Sequence, residues 1–140
     1  MSALQFLKVH YFAVGTGIAL AVILFIGLSA FRSGARDDQR IADLNEIAAT
    51  LKTYYLKFHN YPKELSELIS VGVGVRVVPE DPLSPKRNYA YAVDENGQNY
   101  ILSAMLEDGS NPKLKNDIDG IIYKINCDDR PSYNYCVNSF

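Results

Sequence analysis

Residues 11–31, YFAVGTGIALAVILFIGLSAF, form an uncharged apolar run that is followed at once by a polar helical pattern. At about 1.5 Å per residue, a helix over this run is about 30 Å long, which matches the hydrocarbon thickness of a bilayer. We therefore expect a single-pass transmembrane helix over residues 11–31, after a short flank over residues 1–10. A cleaved signal peptide is the alternative, because Ser33, Gly34 and Ala35 form an acceptable cleavage site, but the run is long for a signal peptide.

The residues leave the orientation of this span open. Arg32, Arg36 and Arg40 follow it, whereas only Lys8 precedes it. By the positive-inside rule, this distribution favours a cytoplasmic C-terminal domain. The two cysteines near the C-terminus argue the other way, because paired cysteines suit an oxidising compartment.

Residues 32–59 continue the pattern as an amphipathic segment, so one helix is expected from about residue 8 to residue 59. Its apolar residues recur at spacings of three and four, as in a helix that buries one stripe. They are Ile41, Leu44, Ile47, Ala48, Leu51, Tyr55 and Phe58. Asn60, before Tyr61 and Pro62, ends the helix. Pro62 then precedes a short second helix over residues 63–69, where its missing N–H costs nothing.

The rest of the chain carries β and turn signals. Residues 88–106 predict a β-hairpin, because NYAYAV and NYILSAML flank the turn sequence DENG. Residues 120–125, GIIYKI, predict a third strand, and residues 127–136 a cysteine loop. Residues 32–140 are long enough for one domain with one core. The expected fold class is α+β, with the amphipathic half of the long helix packed on a small antiparallel sheet.

The composition excludes several functions. The net charge is −2, which gives no electrostatic footprint for nucleic acid, so no nucleic-acid partner is predicted. Only two histidines occur, His10 at the edge of the span and His59 at the end of the amphipathic helix, and neither has a nucleophile near it in the sequence. We expect no enzymatic activity. Most of the ten tyrosines fit the edge of a core, and a carbohydrate- or nucleobase-stacking surface is the less favoured interpretation.

Cys127 and Cys136 lie in a loop rich in Asp, Asn and Tyr. This placement suits a structural disulfide, with free thiols as the alternative. A zinc site is disfavoured, because it needs four ligands and no histidine lies nearby.

An acidic cluster surrounds these cysteines. Asp117 and Asp119 precede Gly120, and Asp128 and Asp129 follow Cys127. Calcium takes six to eight oxygen ligands, which carboxylates and backbone carbonyls of such loops can supply. The spacing is not that of an EF-hand. Aspartates are also ordinary turn formers, so solvated turns are the alternative.

Several motifs together resemble the type IV pilins and the major, G-like pseudopilins of type II secretion systems. Residues 35–62, ARDDQRIADLNEIAATLKTYYLKFHNYP, resemble the helix of that family, with its Arg-Asp pair, paired tyrosines and Tyr-Pro stop. Residues 81–85, DPLSP, and the hairpin after them resemble the family's loop and hairpin. Residues 114–120, LKNDIDG, and Cys127 resemble its C-terminal loop.

The resemblance implies a pilin-like fold and a structural role, as a subunit or accessory component of a type IV filament or type II secretion system. Implied partners are other pilin-like subunits or the inner-membrane platform of such a machine, together with the lipid bilayer. The implied location is the cytoplasmic (inner) membrane, with the C-terminal domain outside the cytoplasm, or a cell-surface filament. Calcium is the implied cofactor, at Asp117, Asp119 and Asp128.

The N-terminal residues depart from the family pattern. The family carries a basic leader ending in Gly and then Phe-Thr-Leu-Ile-Glu, whereas this chain opens MSALQFLKVHYFAVG, with Gln5 before the span. The usual prepilin peptidase site is therefore missing from this sequence. The alternative function is a bitopic, membrane-anchored binding module with a pilin-like domain that does not polymerise.

Overall fold

The computed structural model describes residues 3–72 and 76–139, with the side chains of the N-terminal helix described from residue 16. The fold is α+β, one long N-terminal helix and a small antiparallel sheet, as the sequence predicts. The helices are α1 (Ala3–Phe58) and α2 (Glu67–Ser70), with a 3₁₀ helix at Pro112–Lys115. The strands are β1 (Ala90–Val93), β2 (Tyr100–Met105), β3 (Ile121–Ile122), β4 (Ile125–Asn126) and β5 (Asn134–Asn138).

The chain divides into two compact units at the boundary between Gly34 and Ala35. In the first unit, every described side chain from Thr16 to Arg32 is exposed, and most of these side chains are large and apolar. Within the described residues, α1 is the one helix whose length and composition would let it cross a bilayer. This property makes α1 compatible with the predicted membrane anchor.

In the second unit, α1 supplies one wall of the main core. Leu44, Ile47, Leu51 and Tyr54 of α1 pack with Tyr100, Leu102 and Ala104 of β2, and Leu68 of α2 joins them. The buried stripe follows the predicted spacing as far as Leu51 and then passes through Tyr54. Phe58, which the sequence places in the stripe, is 39% exposed, and Tyr55 is only partly buried.

The long helix ends at Phe58, one residue before the predicted end. His59 adopts a left-handed conformation with φ of 59°, and its N–H donates to the Tyr55 carbonyl at 2.8 Å. The helix predicted over residues 63–69 is shorter in the structure, where α2 begins at Glu67. The Glu67 carboxylate accepts from the backbone N–H groups of Lys63 (2.9 Å) and Glu64 (3.1 Å), which holds residues 63–66 in turns.

The main sheet has the strand order β1–β2–β5, with antiparallel pairing throughout. Successive strand residues face opposite sides of a sheet. Tyr91 of β1 and Tyr100 and Leu102 of β2 face α1, as do Tyr135 and Val137 of β5. The hairpin of β1 and β2 agrees with the prediction for residues 88–106.

The predicted third strand over residues 120–125 is wrong. Tyr123 and Lys124 both have positive φ, 48° and 71°, so the chain reverses there and β3 pairs with β4 as a separate two-stranded ribbon. Two consecutive left-handed residues are the geometry of a tight hairpin turn. The third strand of the main sheet is β5, which pairs Cys136 opposite Ser103 inside the predicted cysteine loop.

A second, smaller core covers the other face of the sheet. Ile101 of β2 packs there with Cys127 and Cys136, and partly buried isoleucines surround them. The disulfide between Cys127 and Cys136 is present, with a Cα–Cα distance of 5.7 Å, so the predicted pairing is confirmed. The bond joins the segment after β4 to β5.

Candidate functional site

A buried cluster of charges joins α1 to two distant segments. The Arg40 side chain is fully buried and makes a bidentate contact with Asp81, from Nε to Oδ2 at 2.7 Å and from Nη2 to Oδ1 at 3.1 Å. Its Nη1 also donates to Asp37 Oδ1 at 2.7 Å and to Glu107 Oε1 at 2.8 Å. Arg36 makes a second bidentate contact with Glu107, at 2.7 and 2.6 Å. Two guanidinium groups therefore hold three carboxylates.

Asp37 serves as the acceptor that fixes the end of β2. The Glu107 N–H donates to both carboxylate oxygens, at 2.9 and 3.1 Å, and the Asp108 N–H donates to Oδ2 at 2.9 Å. Asp81 accepts in the same way from the Leu83 N–H at 2.8 Å. Buried charges are tolerated only when they are paired and hydrogen-bonded, and both carboxylates meet this condition.

Contacts within the cluster shift the pKa values of its charged groups. Hydrogen bonds from Arg36, opposed by burial and reinforced by Arg40, lower the pKa of Glu107 to about 2. Burial alone would lower the pKa of Arg40, but hydrogen bonds to Asp81, Glu107 and Asp37 raise it above its ordinary value. Burial opposes the shift at Asp81, where the bond from Arg40 nevertheless lowers the pKa. All of these groups stay charged at neutral pH.

This cluster was not predicted from the sequence, where Arg36 and Arg40 counted towards the orientation of the span. A signal was available, because Asp37 and Arg40 precede Leu44 at the same three- and four-residue spacing as the buried stripe. Charged residues in phase with a buried stripe indicate burial with partners. Their partners, Asp81 and Glu107, lie 41 and 67 residues beyond Arg40, and no local pattern points to them.

Two tyrosines beside the core, Tyr89 and Tyr91, have satisfied hydroxyl groups. The Tyr89 hydroxyl donates to Asp43 Oδ2 at 2.6 Å, and the Tyr91 hydroxyl donates to the Pro62 carbonyl at 2.8 Å. Burial, together with the Asp43 carboxylate in the first case, raises the pKa of both groups. These contacts connect β1 to α1 and to the segment after it.

The structure places the predicted calcium residues around the second core. Asp117 Oδ2 accepts from the Cys136 N–H at 2.8 Å, which caps a backbone donor of β5. Asp128 Oδ1 accepts from the Gly120 N–H at 3.0 Å. Asp119 is exposed. Asp129, which the prediction left out of the ligand set, has a buried Oδ1 without a hydrogen-bond partner, and so does Asp117.

These carboxylates repel one another. Burial, with added repulsion from Asp129 and Asp119, raises the pKa of Asp117 to about 6. Burial also raises the pKa of Asp129, with repulsion from Asp119 and Asp128. The two buried, unpartnered oxygens are of the kind that a cation would pair.

Among the residues that the structure describes, however, no three Asp, Glu, His or Cys side chains are grouped so that they could hold a metal ion. The side chains therefore do not form a calcium coordination sphere alone. Backbone carbonyls or waters would have to supply most of the six to eight oxygens that calcium takes.

Comparison of the chain with family models, with curated proteins and with solved structures finds no match.

Proposed function

We propose that this protein is a membrane-anchored, pilin-like structural subunit, or accessory component, of a type IV filament or type II secretion system. One observation carries the proposal. A single helix of 56 residues has exposed apolar side chains over its described N-terminal part and forms a core wall of the domain over its C-terminal part. Exposed apolar surface of this extent needs lipid or other apolar helices to cover it.

The charge cluster supports a structural role for α1. Arg36, Asp37 and Arg40 connect the first turns of α1 in the domain to the segments at Asp81 and Glu107. A helix that must transmit force between an anchor and a domain needs such fixed attachment. Other pilin-like subunits or an inner-membrane platform are the proposed partners, as the sequence resemblance implies.

The disulfide supports placing the domain outside the cytoplasm. Disulfides persist in oxidising compartments and are rare in the cytosol. We therefore assign the domain to the outer side of the cytoplasmic membrane or to a cell-surface filament.

The decisive experiment follows a C-terminally tagged full-length chain in its native cells. Surface filaments are sheared off and blotted, and in parallel Ile23→Cys is crosslinked in the membrane, with Ser132→Cys in the domain as the control. The structure gives Cys127 and Cys136 as a disulfide, so the added thiol is the intended reactive group. Tagged protein in the sheared fraction, with crosslinked dimers for Ile23→Cys and none for Ser132→Cys, is expected.

Full-length protein that stays in the membrane, with no crosslinked species, would overturn polymerisation. That outcome would favour the alternative, a bitopic binding module that does not polymerise. That outcome would not argue against the membrane anchor. Protease protection of the tag in spheroplasts would report the orientation of the domain separately.

Calcium binding at the C-terminal loop is a second part of the proposal, and it rests on the unpartnered oxygens of Asp117 and Asp129. Asp117 and Asp129 would contribute these oxygens, and Asp119 lies beside them. The test is the melting temperature of the full chain in detergent with calcium or with EDTA. Calcium is expected to raise it, and Asp129→Asn is expected to abolish the rise, whereas Asp38→Asn on an exposed position of α1 leaves the rise unchanged. Equal melting temperatures in calcium and EDTA would refute this part.

A further inference from the structure

A cleft of about 380 Å³ opens on the face of the main sheet away from α1. Ala90 of β1, together with Ser103 and Met105 of β2, belongs to its lining. Three other segments, at Asn88, at β3–β4 and at the start of β5, supply the rest of the lining. The volume lies in the range of small-molecule sites, about 300–1,000 Å³.

Ser103 is the unusual residue of this cleft. Its side chain lies on the central strand and is only 5% exposed, yet within the described residues its hydroxyl makes no hydrogen bond to protein. The hydroxyl is also not among the fully enclosed unpartnered atoms, so it retains access to solvent through the cleft that it lines. Buried hydroxyl groups are normally hydrogen-bonded. The Ser103 hydroxyl is therefore a donor and acceptor that a ligand in the cleft can reach.

The chemistry of the lining selects the ligand class. Five lining residues carry amide or hydroxyl side chains: Asn88, Ser103, Asn126, Ser132 and Asn134. These groups both donate and accept hydrogen bonds, as the hydroxyl groups of a sugar do. Met105, which is 38% exposed, and Ala90 provide an apolar surface of the kind that packs against the C–H groups of a sugar ring.

One charge is present among the described residues that line the cleft, the ammonium group of Lys124, and no carboxylate is. This contrasts with a chain that carries 16 acidic residues. Lys124 lies in the left-handed turn between β3 and β4, with φ of 71°. A cation at the rim and no acid in the lining favour a ligand with a single negative charge. A phosphate-rich ligand would need more cations than one.

We propose that this cleft binds an acidic sugar, one hexuronic acid unit of a glycan. The ring hydroxyls bind Ser103 and the asparagine side chains, and the sugar carboxylate pairs with Lys124. The sheet fixes the position of Ser103, because its strand is paired on both sides, with Ala90 and with Cys136. The proposal is independent of polymerisation and of calcium.

The test uses the full chain in a zwitterionic detergent without a sugar headgroup, followed by ¹H–¹⁵N NMR. The three probes are methyl β-D-glucuronide, methyl β-D-glucoside and methoxyacetate, which separate the carboxylate from the hydroxyl groups. We expect the glucuronide to bind with a dissociation constant of about 1 mM and both other probes to bind about tenfold more weakly or less. Shifts should concentrate at the backbone groups of Ser103, Lys124 and Asn134.

Two variants and one control assign the contacts. Lys124→Asn keeps a residue that tolerates positive φ and should reduce glucuronide affinity about tenfold while leaving the glucoside unchanged. Ser103→Val should weaken both sugars. Lys115→Asn, on the 3₁₀ helix outside the cleft lining, should change neither.

Several results would overturn the proposal. The first is absence of glucuronide binding up to 20-fold above the expected constant, which is about 20 mM. The second is methoxyacetate binding as tightly as the glucuronide, because a small acid or an acidic peptide end would then be the ligand. The third is equal glucuronide affinity for Lys124→Asn and the unmodified chain.

Discussion

Two acidic regions of the domain differ in the direction in which the pKa values of their carboxylates are shifted. In the charge cluster around Arg40, Asp81 and Glu107 accept hydrogen bonds from the guanidinium group, and both have lowered pKa values. The pKa of Glu107 falls to about 2. At the C-terminal loop, Asp117 and Asp129 lie against other carboxylates, and both have raised pKa values, that of Asp117 reaching about 6. Burial raises the pKa in all four cases. The presence of a guanidinium partner decides the sign.

The two regions are also held together by different means. The first relies on directional bonds to charges, which are strong only while every partner is present. The second relies on the Cys127–Cys136 disulfide, a covalent bond that tolerates nearby repulsion. Because the disulfide holds the C-terminal loop together, the loop can keep carboxylate oxygens unpartnered. A ligand can therefore bind these oxygens more readily than the carboxylates that Arg36 and Arg40 already occupy.

Removing the central cation should have the largest effect. Arg40→Leu leaves Asp37 and Asp81 buried and unpaired, and breaking a buried pair from one side costs about 3–5 kcal/mol. Tyrosine fluorescence during urea unfolding of the full chain in detergent would measure the loss of stability. Lys52→Leu, on an exposed position of the same helix, is the matched control, and surface changes of that kind stay within about 0.5 kcal/mol. If Arg40→Leu destabilised the domain no more than the control, the charge cluster would not depend on its central guanidinium group.

Removing the disulfide should have the next largest effect. The double variant Cys127→Ser/Cys136→Ser is expected to lose about 2–3 kcal/mol, because the bond closes a short loop. The loss should appear first as faster amide exchange in β4 and β5. Exchange at the Glu107 and Asp108 amides should stay slow. Uniform loosening of both regions would show that they do not stabilise the domain independently.

Acid should weaken the first region. Because the folded-state pKa of Glu107 lies below its ordinary value of 4.5, its contribution is complete above about pH 4.5 and is lost as the pH falls towards 2. We expect a loss of about 2 kcal/mol in the free energy of unfolding across this window. Glu107→Gln should flatten this part of the pH profile. If the variant kept the same pH dependence of the free energy of unfolding, Glu107 would not be the group responsible for it.

Removing one negative charge from the C-terminal loop should have the smallest effect on the free energy of unfolding. Unlike the other changes, it should stabilise the domain. Asp117→Asn keeps an acceptor for the Cys136 N–H and removes a buried charge that Asp129 repels, so in EDTA it should stabilise the domain by about 1 kcal/mol. Asp38→Asn, at an exposed position on α1, should change little. Thermal unfolding followed by near-ultraviolet circular dichroism would measure both. Destabilisation by Asp117→Asn would contradict the conclusion that burial, with added repulsion from Asp129, makes the charged form of Asp117 unfavourable.

Local pattern was sufficient for much of the fold and for little of the charge cluster. The predicted helix end lies one residue from the observed end, because Tyr61-Pro62 disfavours helix regardless of context. The third strand was misplaced, because GIIYKI has strand composition whether it runs straight or reverses at Tyr123 and Lys124. In the structure, Ile122 and Ile125 on either side of the reversal pack against the cluster of Ile101, Cys127 and Cys136, and Ile101 lies far away in the sequence.

The amino-acid sequence by itself determined the apolar span, the amphipathic stripe of α1, the β-hairpin and the cysteine pair, since each follows from spacing or composition within one segment. Only the tertiary structure decided which charges are satisfied. Arg40 meets Asp81 and Glu107 across 41 and 67 residues, whereas Asp117 and Asp129 keep unpartnered oxygens. The physical reason is that a carboxylate's free energy is set by the groups around it in space, and chain distance does not encode them.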